Sequence, residues 1–397
     1  MAKLNNKKIL LGITGSIAAY KDYEIVRALI KEGAAIKVVM SKNATRFVSP
    51  LTLETLTGNP ITVDLFEKGS DKLAHINLSA WADIFLIAPA TANFIGKTAS
   101  GIADDVITST FLVFEGKTII APAMNNHMWG NPIVQNNALK LREIGVEYAG
   151  PGKGFLACGD SGEGRLADIG DILFAVEKAF VNKPASTGKK ILITAGPTRE
   201  FIDDVRFLSN PSTGKMGSAL ARAFALHGAD VVLVSGATET PSIPGVEIIQ
   251  VTSASDMAEA VFKKANEANI IIMTAAVADW KPEKEPGKIK KGNKKTWKLE
   301  LTRTKDILSE LGRQKGDKFI MGFAVETENE IQNAKTKLKN KNLDLIFVNN
   351  PLVEETTFAA NTNAGFLISK DSQVTIERLD KEELSMFIVE TIRKMTA

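Results

Sequence analysis

The sequence predicts an α/β protein built as two Rossmann-like, doubly wound domains, a flavodoxin-like one followed by a second of ribokinase-like or Rossmann-like type. Three observations lead to the tandem α/β reading. Apolar runs of strand length alternate with amphipathic stretches of helix length along the whole chain. The chain has 397 residues, whereas domains commonly run to about 100–200. Between 182 and 190 lies Lys-Pro-Ala-Ser-Thr-Gly, a run of small residues with a proline and no apolar periodicity, which reads as a linker.

Taken in order, residues 9–14 read as a buried strand ending in Gly-Ser, and 18–31 as a helix with Ile25, Ala28 and Leu29 on one side. Gly33 ends that helix and 35–40 is a second strand. Such a βαβ unit implies parallel strands and a right-handed crossover. Residues 84–88, 118–121 and 146–149 add strands, and 172–180 is a helix before the linker. Beyond it, strands are expected at 191–194, 231–235, 269–274 and 343–348, with a helix at 217–226. No motif repeats between the halves, so two different domains are expected, 1–183 and 191–397, joined by 184–190. Residues 281–298, rich in lysine with Pro282, Pro286, Gly287 and Gly292, read as a long mobile loop.

Composition removes several classes of function. A formal net charge of +3 is too small to make nucleic acid or an acidic membrane the main partner. No apolar run approaches the roughly 18 residues of a membrane span, and the first residues lack a secretory signal pattern. With a single cysteine, Cys158, no intrachain disulfide can form, which fits a reducing, cytoplasmic setting. No cysteine pair or histidine cluster suggests a metal site.

In the first half, Gly12-Ile13-Thr14-Gly15-Ser16 follows a strand and opens a helix. Backbone N–H groups and a hydroxyl there suit a phosphate. The third glycine of a dinucleotide fingerprint is missing, which favours a mononucleotide; a plain strand-to-helix turn fits the run equally well. Pro89-Ala90-Thr91-Ala92-Asn93 follows another strand, where open α/β sheets place ligands. Small residues there let a flat ring approach, and Asn93 can bond its edge. Asn125, in Pro122-Ala123-Met124-Asn125-Asn126-His127-Met128-Trp129, reads by itself as a turn former. His75 is one of three histidines, and a lone histidine is more often structural than catalytic. Cys158 sits in a glycine-dense loop, 154–165, rather than in a core strand.

Together these motifs resemble the flavin-containing cysteine decarboxylases, within which the match is to phosphopantothenoylcysteine decarboxylases, over essentially the whole first half. The resemblance implies FMN with its phosphate at Gly15 and Ser16, its ring near Thr91 and Asn93, and Ser41 facing it. It makes His75 the base, Asn125 the holder of the substrate carboxylate, and Cys158 a proton donor in a loop that closes over substrate. Loss of CO2 from a cysteine carboxylate leaves a carbanion with no electron sink. Oxidation of the thiol to a thioaldehyde, with FMN as hydride acceptor, supplies that sink; return of the hydride leaves the flavin oxidised.

In the second half, Thr194-Ala195-Gly196-Pro197-Thr198-Arg199-Glu200 follows a strand, and Ser212-Thr213-Gly214-Lys215-Met216-Gly217 opens a helix. The latter offers hydroxyls, N–H groups and an ammonium to a phosphate, without being a Walker A loop. Ala275-Ala276-Val277-Ala278-Asp279 ends a strand and suits a base edge, or is an ordinary strand exit. Lys288-Ile289-Lys290-Lys291 is either a solvated face or a set of cations brought to a triphosphate.

This set resembles phosphopantothenate–cysteine ligases, and its order after a decarboxylase half matches the fused bacterial proteins of coenzyme A biosynthesis. The resemblance implies CTP, magnesium with unassigned ligands, and an acyl-cytidylate that cysteine attacks. It places Asn210 on the substrate carboxylate or acyl-cytidylate, Lys288 on that intermediate, Ala275 and Asp279 at cytosine, and Arg206 at the phosphate of 4'-phosphopantothenate. It adds nucleotide contacts at Ser212, Lys305, Asp306, Ile307, Phe323, Lys337 and Lys341. Here Thr304-Lys305-Asp306-Ile307 departs from the family's usual Asn-Pro-Asp-Ile-type run. Trimeric decarboxylase domains, dimeric ligase domains and a dodecamer are implied as well. Two other flavoprotein activities, peptidyl-cysteine decarboxylation and flavin prenyl transfer, are disfavoured by the attached ligase half. A non-catalytic, phosphatase-regulating role is disfavoured by a chain end without the acidic tail of such proteins.

Overall fold

In the computed structural model, the residues described are 3–66, 71–155, 159–181, 186–239, 242–290, 296–352 and 360–396. They fall into two compact units, Met1–Asn182 and Lys183–Ala397.

The first unit is built on β1 (Lys8–Ile13), β2 (Ala35–Met40), β3 (Ile84–Ala90), β4 (Lys117–Pro122) and β5 (Glu147–Tyr148). These pair in the order β2-β1-β3-β4-β5, all parallel. Alternation of side chains splits each strand between two cores. Leu11, Ile13, Leu86 and Ile119 face one cluster, and Leu10, Phe85, Ile87 and Ile120 face the other. Helices Asp22–Lys31 and Ile169–Ala179 pack on the first face, while Ala92–Ala99 and Val106–Val113 pack on the second. Burial on both faces explains why these strands read as continuous apolar runs. β6 (Gly152–Phe155) and β7 (Ser161–Arg165) form an antiparallel hairpin. The glycine-dense segment expected to be a loop is therefore strand-paired on both sides. Its centre, 156–158, lies outside the described residues, and Cys158 with it.

The second unit contains β8 (Lys190–Ala195), the short pair β9 (Arg199–Phe201) and β10 (Phe207–Ser209), then β11 (Asp230–Ser235), β12 (Val246–Gln250) and β13 (Ile270–Met273). A second short pair, β14 (Trp280–Pro282) and β15 (Leu301–Arg303), precedes β16 (Phe319–Val325), β17 (Leu345–Asn349), β18 (Thr362–Ser369) and β19 (Gln373–Asp380). The main sheet runs β12-β11-β8-β13-β16-β17-β18-β19. Its first six strands are parallel and follow the order 3-2-1-4-5-6 of dinucleotide-binding folds; β18 and β19 extend the edge antiparallel. Both units thus match the expected Rossmann-like architecture. The antiparallel edge was not expected from sequence, because alternation there is masked by mixed exposure.

Within the segment expected to be a long mobile loop, 281–298, residues 281–289 are held in place, whereas 291–295 lie outside the described residues. Trp280–Pro282 pairs with Leu301–Arg303, and the backbone at 285–289 is hydrogen-bonded to the turn between β9 and β10. Lysine and proline content concealed these bonds, since their acceptors lie about eighty residues away in sequence.

Candidate functional site

The strand order of the first unit reverses between β1 and β3, so the chain leaves their carboxyl ends in opposite directions and opens a crevice. A cavity of about 1350 Å³ lies there. It is lined by Gly15, Ser16, Ser41, His75, Thr91, Asn93 and Asn125, every sequence-predicted residue of the first half except Cys158. Ligand sites commonly span about 300–1,000 Å³, so a ring system with a phosphate tail fits.

Thr14, which the sequence reading passed over, ties the crevice walls together. Its hydroxyl donates to the Pro89 carbonyl at 2.7 Å and accepts from the Thr91 N–H at 3.1 Å. Thr91 in turn caps the helix Ala92–Ala99 by accepting from the Phe94 N–H. Ser16 caps the short helix Ile17–Lys21 through the Ala18 N–H at 3.3 Å. Gly15 is required by proximity: a Cβ there would stand 2.6 Å from the Asn43 Cβ. The Ser41 hydroxyl accepts from the Ala44 N–H at 3.2 Å, shaping the turn that brings Asn43 so close.

His75 lies in the first turn of Ala74–Trp81, and its Nδ1 is buried with no partner among the described residues. Such an orphan calls for a ligand group. The Asn125 side-chain oxygen accepts from the His127 N–H at 2.8 Å, the turn-forming role expected from sequence, while the residue also faces the cavity. The Met124 N–H donates to the Gly164 carbonyl at 2.9 Å, docking this loop on β7. Gly164 has φ 145, and a Cβ there would collide with the Met124 carbonyl. Phe155 and Arg165, one from each strand of the β6–β7 hairpin, line the same cavity.

In the second unit the predicted residues do not converge on one cavity. Ser212 and Phe323 line a small cleft of about 70 Å³ with Lys215, Thr274, Asn349 and Lys381. It lies at the carboxyl ends of β13, β16 and β17, beside the amino end of helix Lys215–Leu226. Lys381 is almost wholly buried and its ammonium donates to the Ala360 carbonyl at 2.6 Å. Burial first, then the charge of Lys215, push its pKa down to about 8 against a partial lift by Asp380. No sequence signal marked Lys381; only folding places its helix against Lys215–Leu226.

Asp306 and Lys341 form an ion pair at 2.8 Å, and Asp306 also caps Ile307–Arg313 through the Ser309 N–H at 3.0 Å. Burial would raise the Asp306 carboxyl, but bonds from Lys341 and Ser309 outweigh it and hold the pKa below the usual range. Ile307 is buried. Lys337 pairs with Glu326 at 2.6 Å, and the Lys305 ammonium lies 4.3 Å from the Phe262 ring centre. The Ala275 N–H donates to the Thr194 hydroxyl at 3.2 Å. The Asn210 amide donates to the Ala276 carbonyl at 3.1 Å, and the Asp279 carbonyl accepts from the Thr304 N–H at 2.9 Å. Arg206 donates to the Ile289 carbonyl at 3.1 Å and lies 3.4 Å from the Asp203 carboxylate. Lys288 is exposed. Among the described residues, no group of three or more His, Cys, Asp or Glu side chains is placed to hold a metal, and no helix is long and apolar enough to cross a membrane.

Comparison with known proteins follows this division. Residues 1–180 match the family described as Flavoprotein, and residues 186–395 match the DNA/pantothenate metabolism flavoprotein C-terminal domain. The chain is 42% identical over 398 residues to the coenzyme A biosynthesis bifunctional protein CoaBC of Bacillus subtilis, covering 99% of this chain and 98% of that one. It is 40% identical over 390 residues to the protein of the same name from Borreliella burgdorferi, covering 98% and 99%. A crystal structure of the C-terminal domain of such a protein aligns at 40% identity and TM-score 0.46, covering 54% of this chain and 98% of that one.

Proposed function

The chain belongs to the family of bifunctional coenzyme A biosynthesis proteins, and on that premise we propose how its two units divide the work. The second unit, 191–397, joins cysteine to 4'-phosphopantothenate with CTP through an acyl-cytidylate, releasing pyrophosphate and then CMP. The first unit, 1–183, decarboxylates the product to 4'-phosphopantetheine. The linkage is chemical: one unit's product is the other's substrate.

The observation that carries the first assignment is the cavity at the β1/β3 crevice, which gathers Gly15, Ser16, Ser41, His75, Thr91, Asn93 and Asn125. These residues suit FMN: a capped turn for the phosphate, a close-packed wall of small residues for the ring. When bound, the flavin supplies reversible hydride transfer, which the protein's own side chains lack. His75 acts as base, with Nδ1 facing no protein partner among the described residues. The Asn125 amide is oriented by its bond to the His127 N–H and holds the substrate carboxylate until CO2 leaves. Cys158, joined in sequence to β6 and β7, gives the proton that completes the thiol product.

In the second unit, an unactivated carboxylate is a poor electrophile, and transfer of CMP gives it a good leaving group. Asn210 holds the acyl group, Ala275 and Asp279 face cytosine, and Ser212 and Phe323 line the cleft taken by the nucleotide. Lys305, Asp306, Ile307, Lys337 and Lys341 border the same nucleotide; Lys337 and Lys341 exchange Glu326 and Asp306 for phosphate on binding. Lys288 acts on the acyl-cytidylate, and Arg206 on the substrate phosphate. Magnesium enters on the triphosphate. The protein works in the cytoplasm as a homo-oligomer, with trimeric first units and dimeric second units combining into a dodecamer. Large exposed apolar side chains such as Leu51, Phe66 and Ile133 in the first unit, and Val205 and Trp280 in the second, support this association.

The test is mass spectrometry of the purified, flavin-loaded protein incubated with 4'-phosphopantothenate, cysteine, CTP and magnesium. The expected products are 4'-phosphopantetheine, CMP, pyrophosphate and CO2. Folded, loaded protein that formed none of these would end the assignment.

A further inference from the structure

The turn between β9 and β10 holds two adjacent carboxylates, Asp203 and Asp204, that reach the lysine-rich segment. Asp203 is wholly buried. One oxygen, Oδ1, accepts from the N–H groups of Val205 at 2.8 Å and Arg206 at 2.7 Å, and so shapes its own turn. The other, Oδ2, accepts from the Ile289 N–H at 3.2 Å. Asp204 accepts from the Gly287 N–H at 2.9 Å and pairs with the Lys284 ammonium at 2.9 Å. Arg206 completes the arrangement by donating to the Ile289 carbonyl at 3.1 Å.

Both neighbours of Lys288 are therefore clasped while Lys288 itself is exposed. The strand that leaves this turn, β10, ends at Ser209, whose hydroxyl donates to the Thr198 carbonyl at 2.8 Å. Asn210 follows immediately, with its amide on the Ala276 carbonyl. One hairpin thus seats Lys288 at its turn and presents Asn210 at its end. A long lysine side chain on an untethered segment would lose much conformational entropy on meeting a reacting group. A fixed backbone confines that loss to the side chain.

We propose that Asp203 is a positioning residue of the ligase unit, holding the backbone of Lys288 in fixed register with the hairpin that carries Asn210. This rests on the reading above that Lys288 acts on the acyl-cytidylate. The role belongs to the transition state rather than to nucleotide binding, so it acts on kcat and not on KM for CTP.

The decisive variant is Asp203→Asn. Its side-chain oxygen still accepts from Val205 and Arg206, so the turn persists, but its amide then meets the Ile289 N–H donor to donor and the clasp opens. Misplacement of this kind costs on the order of 100-fold in rate. Expected is a fall of that order in kcat for ligation, with KM for CTP within about twofold and decarboxylation of added phosphopantothenoylcysteine unchanged; a change in KM for 4'-phosphopantothenate would report on Arg206, which Asp203 also faces at 3.4 Å. Asp204→Ala, at an exposed residue whose loss leaves the core intact, should give a smaller fall with the same kcat-only pattern. In a Lys288→Gln background Asp203→Asn should cost little more, because it acts through Lys288. A normal kcat in Asp203→Asn, or an equal further loss on top of Lys288→Gln, would overturn the inference while leaving Lys288 in place. Full ligation by Lys288→Gln alone would instead remove the reading on which it rests.

Discussion

The two units share a doubly wound sheet but assemble their candidate sites differently. In the first, one cavity of about 1350 Å³ collects all seven described residues picked out by sequence: six of them follow the ends of β1, β2, β3 or β4 at the same crevice, and His75 joins them from the first turn of the helix Ala74–Trp81. In the second, the open cleft is only about 70 Å³, and the remaining residues are held by ion pairs, a capped helix and a clasped segment. The first site is a preformed cradle. In the second, two of the predicted cations, Lys337 and Lys341, are already engaged with the carboxylates of Glu326 and Asp306. A preformed cavity is sensitive to shape, whereas a site built on exchangeable ion pairs is sensitive to charge and pH.

Shape is tested most severely at Gly15. Gly15→Val puts a branched side chain where a Cβ alone would stand 2.6 Å from the Asn43 Cβ. The variant should purify without flavin absorbance, with at least a ~10-fold loss of bound cofactor if about 1.4 kcal/mol or more of binding is lost. Its CTP-dependent ligation should remain. Retained flavin would break the contrast, since the cavity would then tolerate what a preformed cradle cannot.

Charge is tested at Lys381, whose pKa burial and Lys215 lower to about 8. Protonated below that value, it attracts phosphate; between pH 7 and 9 it loses its charge, so CTP affinity should fall several-fold over that window. Titration calorimetry checks this, and Lys381→Met should bind more weakly at pH 7 and show a flatter profile. The stability effect has the opposite sign. The unfolded chain keeps this proton to about 10.5, so between 8 and 10.5 it binds more protons than the folded state, and folding stability from this group rises with pH.

A smaller effect is expected at Asp306, where the carboxylate serves both as helix cap and as partner of Lys341. Asp306→Ala should lower the stability of the nucleotide-free second unit by about 1 kcal/mol, measured by denaturant unfolding. An unchanged midpoint would show that neither the cap nor the ion pair with Lys341 contributes to stability. A change of similar size but opposite sign is expected outside both sites. Asp22 is fully buried in the first unit, both its oxygens lack partners among the described residues, and burial raises its pKa well above the usual value. Asp22→Ala should stabilise by about 1 kcal/mol. As pH rises past the unfolded carboxyl's pKa the unfolded chain ionises first, so the gain should be larger at pH 7 than at pH 3. Thermal melts at the two pH values read it directly.

Much of this protein was legible in the chain because local rules decide it. Buried parallel strands must be apolar on both faces, so β1, β2, β3 and β8 stand out without a partner in view. Strand-to-helix turns need glycine, serine or threonine, so Gly15, Ser16 and Thr91 mark the first site before folding is considered. What only the tertiary structure decided depends on long-range pairing. Thr14 matters through bonds to residues 75 and 77 positions away, and Asp203 through a bond 86 positions away. Composition made 281–298 look loose, because lysine and proline are disfavoured in strand interiors; the acceptors that fasten Gly287 and Ile289 belong to another hairpin. Lys381 looked like any surface lysine until its helix packed and buried it. Local sequence sets which conformations a segment prefers, but burial, clasping and pKa arise only when distant segments meet.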